Sequence, residues 1–437
     1  MNVNELHVMV FSPEPIQIGT KLTRTNKQLT IPVGIELLGK LINPFGVPLS
    51  VSEAAITTMD ERLIDTPPPG VDTRARIKKP FTTGSTLVDM MVPLGKGQKE
   101  LIIGDRKTGK SSFLLTTIAN QIAQGTIAIY AAIGKKKSDI KHLEEIMTKY
   151  GLQEKFIIVA TSSDDSPGLI YVTPFTAMTI AEYFRDIGQD VVVVLDDLTT
   201  HAKFYREISL VAKNFPGRDS YPGDIFYTHA RLLERAGNFK HKTEGEVAIT
   251  CLPIVEIVEG DLTGYIATTL MGITDGHIFF DSDIFFKGRR PAVNIGLSVT
   301  RVGRQTQTQV KRDITRELTS FLTLYEKMQT LSHFGTELTE NVKNILATGN
   351  SIYDFFDEQY TLVVPEKVQL ILFCLIWLKL LEGTKIEIEN IKIRLISALQ
   401  KKETQALFDE VLQANSFNDL LRNVSVNKEK IFAVWKK

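Results

Sequence analysis

Cysteine is scarce. The chain of 437 residues has two, Cys251 and Cys374, far apart and without metal-ligand spacing. Neither a disulfide framework nor a zinc site is supported, and the pattern fits a reducing cytosol. Net charge is missing as well, because 51 Lys and Arg balance 51 Asp and Glu. A dedicated nucleic-acid binder needs a clustered basic excess to neutralise phosphates, so no nucleic-acid partner is expected. The longest apolar run, Leu370 to Leu378, breaks at Lys379. That is about half the ~20 residues needed to span a bilayer, and it reads as a buried helix. Met1 to Glu5 lack the basic flank and apolar core of a signal peptide. Work at a membrane is therefore expected to go through partners. Internal repeats and low-complexity tracts are absent too. What is there, 43% hydrophobic and 23% charged residues, suits a soluble globular protein of two or three domains.

The chain reads in three parts. Within residues 1–63, His7–Phe11, Lys21–Arg24 and Leu29–Val33 read as short strands between Gly and Pro punctuation, too few to bury much core. Asp65-Thr66-Pro67-Pro68-Pro69-Gly70 reads as a stiff linker, since three prolines forbid both helix and ladder pairing. From about residue 80 apolar strands alternate with amphipathic helices. Leu101–Ile103 precedes a helix starting near Gly109, and Ile127–Ala132 precedes a helix over roughly 138–150. Phe156–Ala160 and Val191–Leu195 follow in the same manner. Runs apolar on both faces are the mark of buried parallel strands covered by helices. After about residue 340, segments 342–356, 365–382, 386–400 and 404–413 carry helical periodicity. The expected domains are 1–65, 66–340 and 341–437.

Between the first apolar strand and its helix lies Gly104-Asp105-Arg106-Lys107-Thr108-Gly109-Lys110-Ser111, a GxxxxGK[ST] phosphate loop, followed by Ser112. Glycines let successive backbone N–H groups curl around a phosphate, and the helix N-terminus adds positive potential. Lys110 can reach the β- and γ-phosphates, and the Ser111 hydroxyl can ligate magnesium. Downstream, Val191–Leu195 runs into Asp196-Asp197, as a Walker B strand does, so Asp196 is the second expected magnesium group, acting through water. An ordinary βα turn and a solvated strand end are the plainer readings of each motif alone; the two together favour nucleotide binding.

Three blocks carry a resemblance that covers the chain from about residue 5 to its end. They are Phe81–Gly84 with Val88-Asp89 and Val92–Arg106, then Tyr221–Tyr227 with Arg231–Arg235, then Arg290–Gly303. Together they closely resemble the alpha subunit of F-type rotary ATPases and ATP synthases. The resemblance implies a multidomain α/β fold: a partial N-terminal β-barrel, a central RecA-like P-loop nucleotide-binding domain and a C-terminal helical domain. It also implies an alternating hexamer with a catalytic beta-type subunit around a gamma-type central stalk, bound to a membrane sector through partners. Such a chain would lie in the cytoplasm at the inner face of the cell membrane. ATP or ADP with Mg²⁺ is the implied ligand. Alpha chains bind nucleotide without turning it over, and Arg301 resembles the arginine finger lent to the neighbouring beta site. Arg290 and Pro291 would flank the base, with Gln359 as an adenine contact.

Three departures from that family pattern stand out. The second core strand ends Ala132-Ile133-Gly134 and continues Lys135-Lys136-Lys137. Catalytic beta chains place a carboxylate after that glycine, and alpha chains typically place Gln. An ammonium cannot accept a hydrogen bond from water, so Lys135 argues against turnover on this chain. Where the family carries paired glutamines near adenine, this chain has Phe356-Asp357-Glu358-Gln359-Tyr360, one residue shorter. The chain also starts around mid-barrel, ahead of which alpha chains carry a helical grip on the peripheral stalk. A variant rotary ATPase working at a task other than synthesis is the expectation. Two other classes compete. A self-contained hexameric motor, of secretion or RNA-translocase type, would need a carboxylate at Lys135, and a scaffold without nucleotide would have no use for Lys110, Ser111 and Asp196.

Overall fold

A computed structural model describes residues 8–11, 14, 16–50, 60–332, 339–358, 363–381 and 385–436. Its centre is one sheet, nine-stranded among the described residues. Across it run Val299–Thr300, Gly276–Phe280, Glu100–Asp105, Gly245–Ile257, Val191–Asp196, Ile127–Lys135, Phe156–Ser162 and Leu41–Ile42, with Gly237–His241 added alongside Gly245–Ile257. The ladder is parallel except at Val299–Thr300 and Gly237–His241.

Alternation along the strands explains why both faces are covered. In Ile127–Lys135, Ala128, Tyr130 and Ala132 point into one apolar cluster, and Ile127, Ile129, Ala131 and Ile133 into another. Strand side chains alternate with period two, so a strand apolar at every position must have cover on each side. Helices Lys110–Ala123 and Lys137–Lys149 contribute to the first cluster, and Pro167–Asp186 and Leu198–Val211 to the second. The α/β reading of this region holds.

Beyond Gln309–Ser332 the chain is helical: Glu340–Phe356, Glu366–Trp377, Lys385–Ala398, Lys402–Leu412, Phe417–Val426 and Lys428–Lys436. Leu370–Ile376 is buried inside Glu366–Trp377, and Phe373, Trp377 and Phe417 pack ring to ring. The apolar run is thus a core helix, as its length required. No described helix is long and apolar enough to cross a membrane.

The N-terminal reading needs correction. Among the described residues Lys21–Arg24 is exposed and joins no ladder, and neither does Val8–Phe11; His7 lies outside the described residues. Only Thr30–Val33 is a strand as expected, antiparallel to Asp60–Leu63. Leu41–Ile42, not foreseen, pairs with Ile158 and Val159 at the sheet edge. A short alternating segment becomes a strand only where a partner meets its N–H and C=O groups, and that partner is remote in sequence.

Candidate functional site

The Glu100–Asp105 strand delivers the phosphate loop to the carboxyl edge of the sheet, where open α/β sheets bind ligands. Two glycines are required there. A Cβ on Gly104 would overlap the Phe280 carbonyl, and Gly109 sits at the helix N-cap with φ of +93°. Lys110 begins the helix, and its buried ammonium donates to the carbonyls of Gly104, at 2.9 Å, and Asp105. Burial lowers its pKa, and Glu256, Asp196 and Asp197 oppose that. Thr108 donates to the Asp105 carbonyl at 2.8 Å, while Asp105 accepts from Gly260 N–H and the Ser282 hydroxyl. Arg106 is largely exposed and pairs with Glu256 at 2.7 Å; Lys107, with φ of +61°, and Ser111 are exposed, and Ser112 is half-buried.

Asp196 ends the Val191–Asp196 strand, and Asp197 caps the next helix by accepting from Thr200 N–H at 2.6 Å. Between them comes the ammonium of Lys135, 2.6 Å from Asp196 Oδ1 and 3.1 Å from Asp197 Oδ2. Ladder irregularity between Ala132 and Lys135, with Gly134 at φ of +58°, aims this lysine. Tyr130 donates to Asp196 Oδ2 at 2.5 Å. Of the two expected magnesium groups, Asp196 is buried in this cluster and Ser111 is exposed at the start of the helix. Burial would lower the pKa of Lys135, but Asp196 and Asp197 hold it above the ordinary lysine range. Burial raises that of Asp196 against the pull of Lys135. Both oxygens of Asp196 are engaged and its charge is matched. A divalent cation placed there would meet an ammonium, and even two single like charges 4 Å apart cost about 4 kcal/mol at an effective dielectric near 20. The donor set does not fit magnesium as it stands.

A cavity of about 540 Å³ is lined in part by Asp281, Arg290, Pro291, Asn294, Tyr353 and Asp357, and Asp281 directly precedes Ser282, whose hydroxyl reaches Asp105 of the loop. Arg290 lies over the Phe285 ring, 3.6 Å from its centroid, and donates to the Phe285 and Arg289 carbonyls. Its backbone N–H donates to the Asp357 carboxylate, and its carbonyl accepts from Glu358 N–H. Gln359 lies outside the described residues.

Arg301 is elsewhere. It follows the edge strand Val299–Thr300, whose Thr300 is in register with Gly276, which in turn is in register with Glu100. Arg301 thus stands at the amino end of the strand whose carboxyl end carries the phosphate loop. Five residue steps separate those ends, about 17 Å at 3.3 Å per residue. Its side chain is exposed and makes no hydrogen bond or ion pair among the described residues.

Two family profiles match this chain. One, described as the ATP synthase alpha/beta family, nucleotide-binding domain, covers residues 84–300. The other, the ATP synthase alpha/beta chain, C terminal domain, covers 307–426. ATP synthase subunit alpha of Clostridium kluyveri (strain NBRC 12016) is 36% identical over 445 residues, taking in 98% of this chain and 85% of the relative. Its counterpart from Clostridium botulinum (strain Hall) is 41% identical over 367 residues, 84% of this chain and 72% of the relative. The chain belongs to the ATP synthase alpha/beta family. The named relatives that it matches along most of its length are alpha chains.

In this alpha/beta-family chain, four site residues escaped the sequence: Tyr130, Asp197 as a second acceptor for Lys135, Glu256 and Ser282. Tyr130 sits in an apolar strand and reads as core. Its aim at Asp196 depends on register, Ala132 against Asp196, which no local pattern displays. What the family member can do chemically follows from its donors. It can bind phosphates through backbone N–H groups and Lys110, but the position after Gly134 offers water only a donor.

Proposed function

We propose that this chain is the non-catalytic, nucleotide-binding alpha-type subunit of an F-type or F-like rotary ATPase, and that it lends Arg301 to the catalytic site of an adjacent beta-type subunit. One observation carries the reading. Arg301, exposed and unpaired among the described residues, is at the far end of the strand from the chain's own phosphate loop, about 17 Å off at strand spacing. A guanidinium there cannot serve its own nucleotide; it can serve a neighbour's, where a planar fork neutralises charge on a transferred phosphoryl.

ATP or ADP is the ligand of the chain's own site, held by Gly104–Ser112 with the base toward Arg290 and Pro291; Gln359 is the proposed adenine contact. A beta-type subunit on each side, a gamma-type stalk and a membrane sector are the proposed partners, which would place the chain at the inner face of the cell membrane. The proposed division is a partial barrel to residue 65, a nucleotide-binding domain to 340 and helices beyond. The purified full chain should bind ATP and hydrolyse none above a Lys110→Ala control, and co-expression with a beta-type chain should give a three-plus-three hexamer by native mass spectrometry. Steady turnover by a homohexamer would support the self-contained motor instead.

A further inference from the structure

The proposed nucleotide site has an internal cation, and the inference here rests on that nucleotide-binding reading and deepens it. Lys135 is 19% exposed in its side chain, and the two carboxylates that flank its ammonium, Asp196 and Asp197, are 9% and 2% exposed. It is not a surface lysine that happens to approach an acid. The bulge after Ala132 and the left-handed Gly134 direct it there, and a Cβ on Gly134 would crowd Phe204 and Thr200 at 3.1 Å. Asp196 keeps no free oxygen, since Tyr130 holds the other one at 2.5 Å. Across the loop Lys110 feels the charge of Lys135, so the two ammoniums share one electrostatic neighbourhood. A phosphate chain seated on the loop meets Lys110, and Lys135 offsets one of the two carboxylates that would otherwise repel it.

We propose that Lys135 is the resident cation of this site, and that the chain binds a nucleoside di- or triphosphate without a divalent metal ion. The Lys135 ammonium takes the place of a divalent cation at these carboxylates: it offsets the Asp196 charge and so lowers the repulsion that Asp196 and Asp197 would exert on the phosphates. No bond is made or broken. The consequence is a nucleotide that stays bound when divalent cations are scarce.

Isothermal titration of the full chain with ATP, in excess EDTA and in excess magnesium, tests this. The two dissociation constants should agree within about threefold in the wild type. Lys135→Gln removes the fixed cation, and its affinity should drop about tenfold or more in EDTA and recover in magnesium. Lys135→Arg, which keeps a charge, should remain insensitive to EDTA. A wild type that itself loses about tenfold or more in EDTA overturns the inference while leaving nucleotide binding standing. A Lys110→Ala chain that binds ATP as tightly as the wild type removes the underlying site reading, a separate failure. A second measurement needs no variant. Manganese added to desalted, ADP-loaded wild-type chain should keep its free-ion electron paramagnetic resonance signal, and a stoichiometric loss of that signal would also overturn the inference.

Discussion

The two ends of the Glu100–Asp105 strand treat charge in opposite ways. At the carboxyl end charges are paired inside the chain: Lys135 with Asp196 and Asp197, Arg106 with Glu256. At the amino end Glu100 is buried, its carboxyl pushed well above the usual range chiefly by desolvation, and Arg301 stands exposed, its side chain without a hydrogen-bonding partner among the described residues. A charge matched within the fold is a structural element, and removing it costs stability because its partner is left buried alone. Arg301 acts on Glu100 only through its field, which opposes the effect of burial on that carboxyl, and an exposed charge without a hydrogen-bonded partner costs little to remove unless another molecule uses it. The strand therefore separates what holds this subunit together from what it offers to a neighbour.

The largest effect should fall at the open end. Arg301→Ala should leave folding, nucleotide binding on this chain and hexamer assembly nearly intact, yet lower the ATPase rate of the assembled complex by about 10³–10⁵, the range for arginine fingers. Arg301→Lys should rescue little, since a point charge does not reproduce the planar fork. Arg304 is the control: it is exposed in a separate groove with Pro93, Gln307 and Arg312, and Arg304→Ala should hydrolyse ATP at the wild-type rate. Single-turnover hydrolysis in the reconstituted complex decides. If Arg301→Ala keeps its rate, the open end has no such function and the contrast between the ends collapses.

A buried pair of the closed kind sharpens the contrast from the other side. Lys392, on a C-terminal helix, is 1% exposed, lies 3.9 Å from Glu358, and donates to the Phe355 carbonyl at 2.8 Å. Glu358 also accepts from Thr86 N–H at 2.9 Å, so the cluster ties the helical region to the nucleotide-binding region. Lys392→Met should destabilise the chain by about 3–5 kcal/mol, read by urea unfolding, because it strands Glu358 and a carbonyl. Adding Glu358→Gln should recover part of that loss. Chain that does fold should supply Arg301 normally in the assembled complex. Unchanged stability with lost activity would reverse the assignment of closed charges to structure.

Legibility in the sequence followed the range of the interaction. The phosphate loop was readable because its residues are contiguous and their roles local, and Lys135 because it follows a glycine at a strand end. The strands Ile127–Lys135 and Val191–Asp196 announced themselves as runs apolar on both faces. Gly245–Ile257, central in the sheet, did not: Pro253 sits in its interior, in register with Leu195, where proline ordinarily argues against a central strand. Leu41–Ile42 is too short to carry a period. The Lys135–Asp196–Tyr130 connection joins separate segments, and only the register of two strands reveals it. Lys21–Arg24 failed in the opposite sense, with a strand-like pattern and no strand partner among the described residues.

The smallest effect is set by pH, and it belongs to the closed end. His201, one turn into the helix that Asp197 caps, is fully buried; its Nε2 lies 3.0 Å from the Tyr171 carbonyl and its Nδ1 3.1 Å from His229 Nε2. A carbonyl only accepts, so His201 carries its proton on Nε2 and accepts at Nδ1 from His229, and both rings are neutral. Desolvation lowers the pKa of His201 to about 4, and lowers that of His229 well below its ordinary value. Between pH 6.5 and about 4 the unfolded chain therefore binds a proton that the folded chain refuses. Stability is complete above the unfolded value and declines as pH falls through that window, by roughly 3 kcal/mol for His201 at 1.36 kcal/mol per unit. Glu100, Glu358 and Asp89, with pKa values raised by burial, act in the opposite sense, so the difference between chains is the informative quantity. Urea unfolding of the wild type and His201→Gln across the window should show a shallower acid decline in the variant. ATP affinity should follow stability and show no separate step, because the ring pair touches none of the phosphate loop. Equal slopes in the two chains would mean that the histidine pair takes up its protons without opening the fold.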